Sequence, residues 1–144
     1  MFLKFQTTFE LPALATSLVP NATEESIDWD HENVYEWMYI DLPELDFSLN
    51  ISREHGYTDL DDEVLDQYEG DETKIKSLAN PGPVYVFGWN RNESDYVDRL
   101  PDWLPRFFAD RLAVDVSVYD ARINVDNPDP DPISLVKPTT GSGR

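Results

Sequence analysis

The chain contains no cysteine at all and only two histidines, His31 and His55. The absence of a thiol group excludes a disulfide scaffold, a cysteine-bound zinc or iron–sulfur site and a thiol nucleophile. No Gly-x-Ser-x-Gly segment occurs, and nucleophilic catalysis commonly needs a histidine base beside its serine or threonine. The residues therefore favour a protein that is not an enzyme, and no pattern in them predicts a cofactor.

Basic residues are scarce, with 11 lysines and arginines against 29 acids, a formal net charge of -18 and a pI near 4.1. The bases are also scattered along the chain and form no patch. A field of this sign repels phosphates, so we expect no direct binding to nucleic acid or to an anionic membrane surface. It attracts cations and basic proteins instead.

Long hydrophobic runs are missing as well. A membrane span needs about 20 consecutive apolar residues, and acids or prolines interrupt every apolar tract here within a few positions. Gln6, Thr7, Thr8 and Glu10 interrupt the N-terminal region where a signal peptide would have its apolar core. We therefore expect a cytoplasmic protein without membrane contact.

Aromatic residues, in contrast, are plentiful, with 7 Phe, 7 Tyr and 4 Trp in 144 residues. Large rings supply much buried area per residue, and disordered acidic chains are poor in them. The length suits one domain of ordinary size. The composition therefore predicts a folded domain with a real core.

Hydrophobic periodicity predicts both strands and helices. Alternating or continuously apolar segments predict strands at 3–11, 34–42, 45–51, 84–89 and 114–125, the last with a bulge at Tyr119 and Asp120. Segments 34–42 and 45–51 form the clearest hairpin, with a tight turn at Pro43 and Glu44. Helical spacing predicts a helix through Leu60, Val64 and Tyr68 that ends near Gly70, a short helical stretch before Pro81, and a helix over 102–112.

This order of elements predicts an α+β fold. We expect one domain over residues 1–126, with about five strands in a mainly antiparallel sheet packed against two or three short helices. Residues 127–144 are acidic and proline-rich and end in glycine and serine. They predict a flexible C-terminal tail.

Two acidic groups are candidates for binding a partner. Trp29 lies between Asp28 and Asp30, with Glu32 close behind, and tryptophan is common at the centres of interfaces. A run of acids follows at Asp59, Asp61, Asp62 and Glu63. Each group has an alternative structural explanation: a tryptophan is often packed on the core, and acids at a helix start are favoured by the helix dipole. The predicted partner-binding residues are Asp28, Trp29, Asp30, Glu32, Asp59, Asp61, Asp62 and Glu63.

The favoured function is a small acidic interaction module that binds a basic protein. Such a partner could be a toxin nuclease or a nucleic-acid-binding protein, with this chain acting like an immunity protein or a nucleic-acid mimic. One alternative is that the acidity adapts an unrecognised domain to high salt. Another is a divalent-metal enzyme that uses carboxylates and imidazoles. Its ligands would come from Asp28, Asp30, His31, Glu32, Glu54, His55 and Asp59, whose spacing matches no known ligand motif, so no metal site is assigned.

The partner and high-salt hypotheses differ in how salt changes stability. Exposed acids repel one another, and salt screens this repulsion with a Debye length of about 10 Å at 0.1 M. For a partner-binding protein, we expect the melting temperature to level off near physiological ionic strength. Thermal unfolding from low salt to molar NaCl measures this, and a rise that continues into the molar range contradicts the partner hypothesis.

Overall fold

A computed structural model describes residues 1–19, 28–31, 35–42, 44–56, 60–79, 81–120 and 131–139. Within these ranges the chain forms eight strands and four helices. In chain order they are β1 (Phe2–Phe5), α1 (Leu11–Leu18), β2 (Asp28–His31), β3 (Tyr35–Ile40), β4 (Ser48–Glu54), α2 (Asp62–Gln67), α3 (Glu72–Leu78), β5 (Val84–Asn90), β6 (Asp95–Val97), α4 (Leu104–Leu112), β7 (Val116–Tyr119) and β8 (Ser134–Val136).

All strands join one antiparallel sheet in the order β2-β3-β4-β5-β1-β7-β8. Strand β6 pairs with the C-terminal end of β5. The α+β class and the antiparallel sheet are confirmed. The prediction of five strands is too low, because seven strands lie along the main path. Strands β2, β6 and β8 have only three or four residues each. Segments this short show too little alternation to be recognised in a sequence.

The core of the sheet has a simple connectivity. Strand β5 lies between β4 and β1 and is antiparallel to both, and β1 likewise lies between β5 and β7. The connection through α1 leads from β1 to β2, which is parallel to β1 and has β5, β4 and β3 between. The connection through β6 and α4 leads from β5 to β7, which is parallel to β5 and has β1 between. The β2–β3 hairpin extends this core at the β4 edge.

One face of the sheet packs against α1 and α4 and forms the hydrophobic core. Its strand residues are Leu3, Phe5, Met38, Ile40, Leu49, Ile51, Val84, Val86, Val116 and Val118. The helices contribute Leu11, Leu14, Ala15, Leu18, Leu104, Phe108, Ala109 and Leu112. Fully burying one Val, Leu, Ile or Phe side chain stabilises a fold by about 1.5–3 kcal/mol, so this face holds the fold together.

The two core helices start at prolines that their first turns tolerate. Pro12 and Pro105 lie at the N1 or N2 position of α1 and α4, where a backbone N–H would have no partner inside the helix. Helix α4 confirms the prediction for 102–112. The predicted strand over 3–11 is too long, because β1 ends at Phe5. Beyond it, the Phe9 N–H donates to the Thr7 hydroxyl at 3.2 Å, a local bond that competes with strand pairing.

The predicted hairpin of residues 34–42 and 45–51 is confirmed as β3 and β4. The chain turns tightly at the predicted place, since the Leu45 N–H donates to the Leu42 carbonyl at 3.0 Å. The connection is nevertheless longer than this turn, because β3 ends at Ile40 and β4 begins only at Ser48. In the wider connection the Ser48 hydroxyl donates to Asp41 Oδ1 at 2.6 Å. Pro43 lies outside the described residues.

The segment predicted as a tail contains β8, which pairs with β7. Thr139 then contacts α4: its N–H donates to Asp110 Oδ1 at 2.6 Å, and its hydroxyl donates to Asp110 Oδ2 at 3.2 Å. Arg106 donates to the carbonyl of Lys137. Residues 131–139 are thus held by strand pairing and by the hydrogen bonds of Arg106 and Asp110 to Lys137 and Thr139, which we call the clasp. The rest of the predicted tail and the predicted strand at 121–125 lie outside the described residues.

Strands β3 and β4 also place an ion pair on the helix-facing side of the sheet. Glu36 and Arg53 are register partners, and Arg53 Nε lies 3.2 Å from Glu36 Oε1. Both residues are over 90% buried. The Arg53 Nη1 atom is buried and makes no hydrogen bond to any part of the chain that the structure describes. The buried positive charge of Arg53 is therefore compensated by the carboxylate of Glu36.

None of the helices in the described ranges is long and apolar enough to cross a membrane.

We expect Glu36→Ala to destabilise the protein strongly. Removing one member of a buried ion pair leaves the other charge without compensation and costs about 3–5 kcal/mol. Urea unfolding should show a fall of this size in the free energy of unfolding. The matched control is the double variant Glu36→Leu with Arg53→Met, which leaves no buried charge and should lose much less. A single variant as stable as the wild type contradicts the account.

We expect the clasp on Thr139 to open at acidic pH. The Thr139 N–H bond, helped by the Thr139 hydroxyl and by Arg106, lowers the pKa of Asp110 below the ordinary 3.8. A lowered folded pKa stabilises above the unfolded pKa, and this contribution is lost as the pH falls through the folded pKa. The NMR shift of the Thr139 amide should stay constant from neutral pH to about 4 and change only below it.

The variant Asp110→Asn serves as the control for this titration. Its Thr139 amide should show no such step and should already have the undocked shift at neutral pH. A wild-type midpoint above the ordinary aspartate value contradicts the clasp.

Candidate functional site

The first predicted group lies on β2, at an edge of the sheet. In the register, Trp29 is opposite Met38 and Asp30 is opposite Trp37. Asp30 is exposed. Asp28 belongs to the same strand, whereas Glu32 lies outside the described residues.

The second predicted group lies at the start of α2. Asp61 is the N-cap residue, and Asp62 and Glu63 occupy the first turn. All three are exposed, while Asp59 lies outside the described residues. The predicted residues thus belong to two different elements, the strand β2 and the start of the helix α2.

The helix dipole explains only part of the second group. It favours acids within the first turn, but acids continue through Asp66, Glu69 and Asp71, and no base occurs between 60 and 73. Helix α2 buries none of its residues. We call the six exposed carboxylates the acidic segment: Asp61, Asp62, Glu63, Asp66, Glu69 and Asp71. Their self-repulsion destabilises this region without any packing that requires them.

A second candidate surface lies on the face of the sheet opposite α1 and α4. Because strand side chains alternate, the residues between the core positions of β3, β5 and β6 lie on this side. We call their rings the aromatic face: Tyr35, Trp37, Tyr39, Tyr85, Phe87, Trp89 and Tyr96. Tyr35 is 51% exposed and Tyr96 47%, and the other five are half-buried.

The rings form a nearly continuous surface. The ring centroids of Tyr39 and Trp89 are 6.4 Å apart, those of Trp89 and Tyr96 are 5.1 Å apart, and those of Phe87 and Tyr96 are 5.4 Å apart. At the other side Phe2 stacks on Phe87 at 5.3 Å. Contacts at these distances hold the rings in place, since aromatic pairs prefer centroids about 4.5–7 Å apart.

Glycine at position 88 allows part of this surface to form. A Cβ built on Gly88 would lie 2.9 Å from the Cβ of Val97 and 3.1 Å from a methyl carbon of Leu100. Only a residue without a side chain lets β6 approach β5 this closely. That approach sets Tyr96 against Trp89.

Strand β4 runs between the rings of β3 and those of β5 and carries small polar side chains on this side. Ser52 lies in register between Trp37 and Tyr85, and Asn50 lies between Tyr39 and Phe87. Ser48 is opposite Trp89. Since the flanking strands are about 10 Å apart, Asn50 and Ser52 form the floor of a groove with aromatic walls, which we call the β4 groove. The buried Ser48 lies at its closed end, where Tyr39 and Trp89 approach each other.

Two cations already lie on rings of this face. The Lys4 Nζ is 5.7 Å from the ring centre of Tyr85, and the Arg91 Cζ is 5.5 Å from that of Tyr39. Arg91 is fixed by a chain of hydrogen bonds, because its Nε donates at 2.7 Å to the Ser48 hydroxyl, which itself donates to Asp41. The rings of this surface thus accept cations in the geometry expected of cation–π contacts.

Acids border the same face. Glu54 is the register partner of Tyr35, and Asp30 is that of Trp37. Both are exposed. Within the described strands Lys4 is the only base on this side, because Arg53 faces the helices. Acids therefore border the β3 wall at Tyr35 and Trp37, while Arg91 lies over Tyr39.

Sequence reasoning missed this surface. Segment 34–42 is apolar or aromatic in both phases, which predicts an interior strand, and β3 does lie between β2 and β4 in the sheet. The pattern does not show that only the Met38 and Ile40 phase belongs to the hydrophobic core. The ring-bearing phase, Tyr35, Trp37 and Tyr39, leaves Tyr35 more than half exposed. The only sequence signal is that one phase is aromatic and the other contains Met38 and Ile40.

The described residues give little support for a metal centre, because they bring together no group of three histidine or acidic side chains able to hold an ion. Of the seven proposed ligands, Glu32 and Asp59 lie outside those residues. His55 is buried after the end of β4.

Comparisons with known proteins identify no relative: no protein-family model, no curated protein and no solved structure matches the chain.

Proposed function

We propose that this protein is a small acidic interaction module that binds a basic protein. The acidic segment carries the proposal. Six carboxylates lie within 11 residues on and beside a helix with no buried residue. Asp71 caps α3 by accepting the Lys74 N–H at 3.1 Å, but the other five carboxylates make no hydrogen bond or ion pair with the described residues. A surface that costs stability by self-repulsion is retained most simply because something positively charged binds it.

The aromatic face supplies what the acids lack. Exposed acids speed up association and select a partner by charge, but a pair of exposed charges contributes only about 0.2–1 kcal/mol. Interface energy comes mainly from aromatic and arginine side chains that are desolvated on binding. Tyr35 and Tyr96, about half exposed, supply apolar area on a surface bordered by acids.

Neutralisation of a partner is the form of binding that we propose, in the cytoplasm and in the manner of an immunity protein or a nucleic-acid mimic. A toxin nuclease or a nucleic-acid-binding protein presents a basic surface to phosphates. A protein with a formal net charge of -18 competes for that surface. No catalytic step is part of this proposal.

The test compares two variants of equal charge. The first neutralises four acids of the acidic segment by Asp61→Asn, Asp62→Asn, Glu63→Gln and Asp66→Asn. The control neutralises four exposed acids elsewhere, by Asp102→Asn, Asp115→Asn, Asp120→Asn and Asp131→Asn. Each variant is checked by circular dichroism. Its affinity for a basic probe protein, cytochrome c, is then measured by calorimetry at 0.05 M and 0.15 M salt.

We expect the first variant to bind about tenfold more weakly at low salt, because about 0.3–0.4 kcal/mol for each of four pairs amounts to about 1.4 kcal/mol. The control should lose less than about threefold. Equal losses in the two variants would show that only net charge matters, and would contradict a localised binding surface.

A further inference from the structure

We infer that the β4 groove binds an extended, arginine-bearing segment of the basic partner. This inference rests on the proposed function, because it names the part of the partner that the aromatic face receives. It uses residues outside the acidic segment, so each of the two can fail separately.

The shape of the groove fits an extended chain. Its accessible floor runs from Asn50 to Ser52, two residue steps of β4 or about 7 Å at 3.3 Å per residue. Ser48 closes one end, because it is buried and bonded to Asp41 and Arg91. The accessible length holds about two or three residues of an extended peptide. The walls are the rings of β3 on one side and those of β5 on the other, and Tyr39 and Trp89 approach each other near the Ser48 end.

The floor can bind a peptide backbone. The side chains of Asn50 and Ser52 are half-buried and make no hydrogen bond with another residue that the structure describes. A carboxamide offers two donor hydrogens and an acceptor oxygen, and a hydroxyl offers one donor and an acceptor. These groups match the N–H and C=O groups of an extended segment laid along β4.

The walls can bind cations. Lys4 and Arg91 show that Tyr85 and Tyr39 hold positive groups over their rings. Among the described cation–π pairs, Tyr35 and Trp37 hold none. Glu54, the register partner of Tyr35, is an exposed carboxylate. A cation from a partner would therefore find a ring and a carboxylate together at this wall.

Arginine suits this arrangement better than lysine. Its guanidinium is planar, stacks on an aromatic ring and still donates sideways to a carboxylate, whereas the ammonium of lysine is compact and strongly hydrated. The native Arg91 shows both contacts at once, since it lies over Tyr39 while its Nε donates to Ser48. An arginine of the partner could make the same two contacts with the ring of Tyr35 and the carboxylate of Glu54.

The experiment uses two labelled eight-residue peptides, one alternating arginine and serine and the other alternating lysine and serine. Both carry the same charge, and their affinities are measured by fluorescence anisotropy at 0.15 M and 1 M salt. The variant Ser52→Trp places a ring between Trp37 and Tyr85 and fills the groove. The matched control Ser117→Trp adds the same ring on β7, on the same face of the sheet but outside the groove. Asn50→Leu removes the floor amide with little change in size.

We expect the arginine peptide to bind the wild type at least about fivefold more tightly than the lysine peptide, with the preference retained at 1 M salt. Ser52→Trp should weaken the arginine peptide at least about tenfold and Asn50→Leu about threefold, whereas Ser117→Trp should change it less than twofold. If Ser52→Trp fails to fold, Asn50→Leu alone decides.

Equal affinity for the two peptides would overturn the inference, and so would unchanged binding in the filled or the amide-free groove. So would binding of a neutral oligosaccharide, cellohexaose, that Ser52→Trp abolishes. If the groove variants do nothing while the acidic-segment variant weakens cytochrome c binding, the inference fails and the proposed function stands. If the arginine peptide binds as expected while the acidic-segment variant behaves like its control, the proposed function fails and the groove remains a peptide site.

Discussion

The burial of one face of an antiparallel sheet against α1 and α4 is the constraint on which the rest of the structure depends. Side chains on a strand alternate, so covering one face assigns every second residue of each strand to the core. The apolar residues of β1, β3, β4, β5 and β7 on that face are almost wholly buried. The other phase is then free of the packing demand of the helices, and its residues can serve a different purpose.

That division explains what could be predicted from the sequence. The β3–β4 hairpin, the central strand β5 and helix α4 have clear periodicities and were predicted. The aromatic face was not predicted. In the sequence, Tyr35, Trp37 and Tyr39 look like residues of a buried face, because aromatic side chains are as common in cores as on binding surfaces. Periodicity alone does not distinguish a strand covered on both sides from one whose second side carries rings. The edge strands β2 and β8 were missed because four and three residues are too few to show alternation.

The acidic residues also fall into two groups, one that stabilises the core and one that lies on the surface. Glu36 is one of the few buried carboxylates, and it compensates Arg53 in the core. The acidic segment compensates no described base and lies on a helix that buries nothing. The acidic segment and the aromatic face thus differ in range: the acids act over distances set by screening, and the rings act only in contact. A basic partner attracted by the first would be held by the second.

The most direct test of this account is the NMR spectrum of the four tryptophan indole N–H groups during addition of the arginine–serine peptide. Trp37 and Trp89 are walls of the β4 groove, whereas Trp103 caps α4 and is 41% exposed. The account predicts that the indole signals of Trp37 and Trp89 shift together and saturate while that of Trp103 stays in place. Equal shifts of all the indoles, or a shift of Trp103 alone, would contradict it.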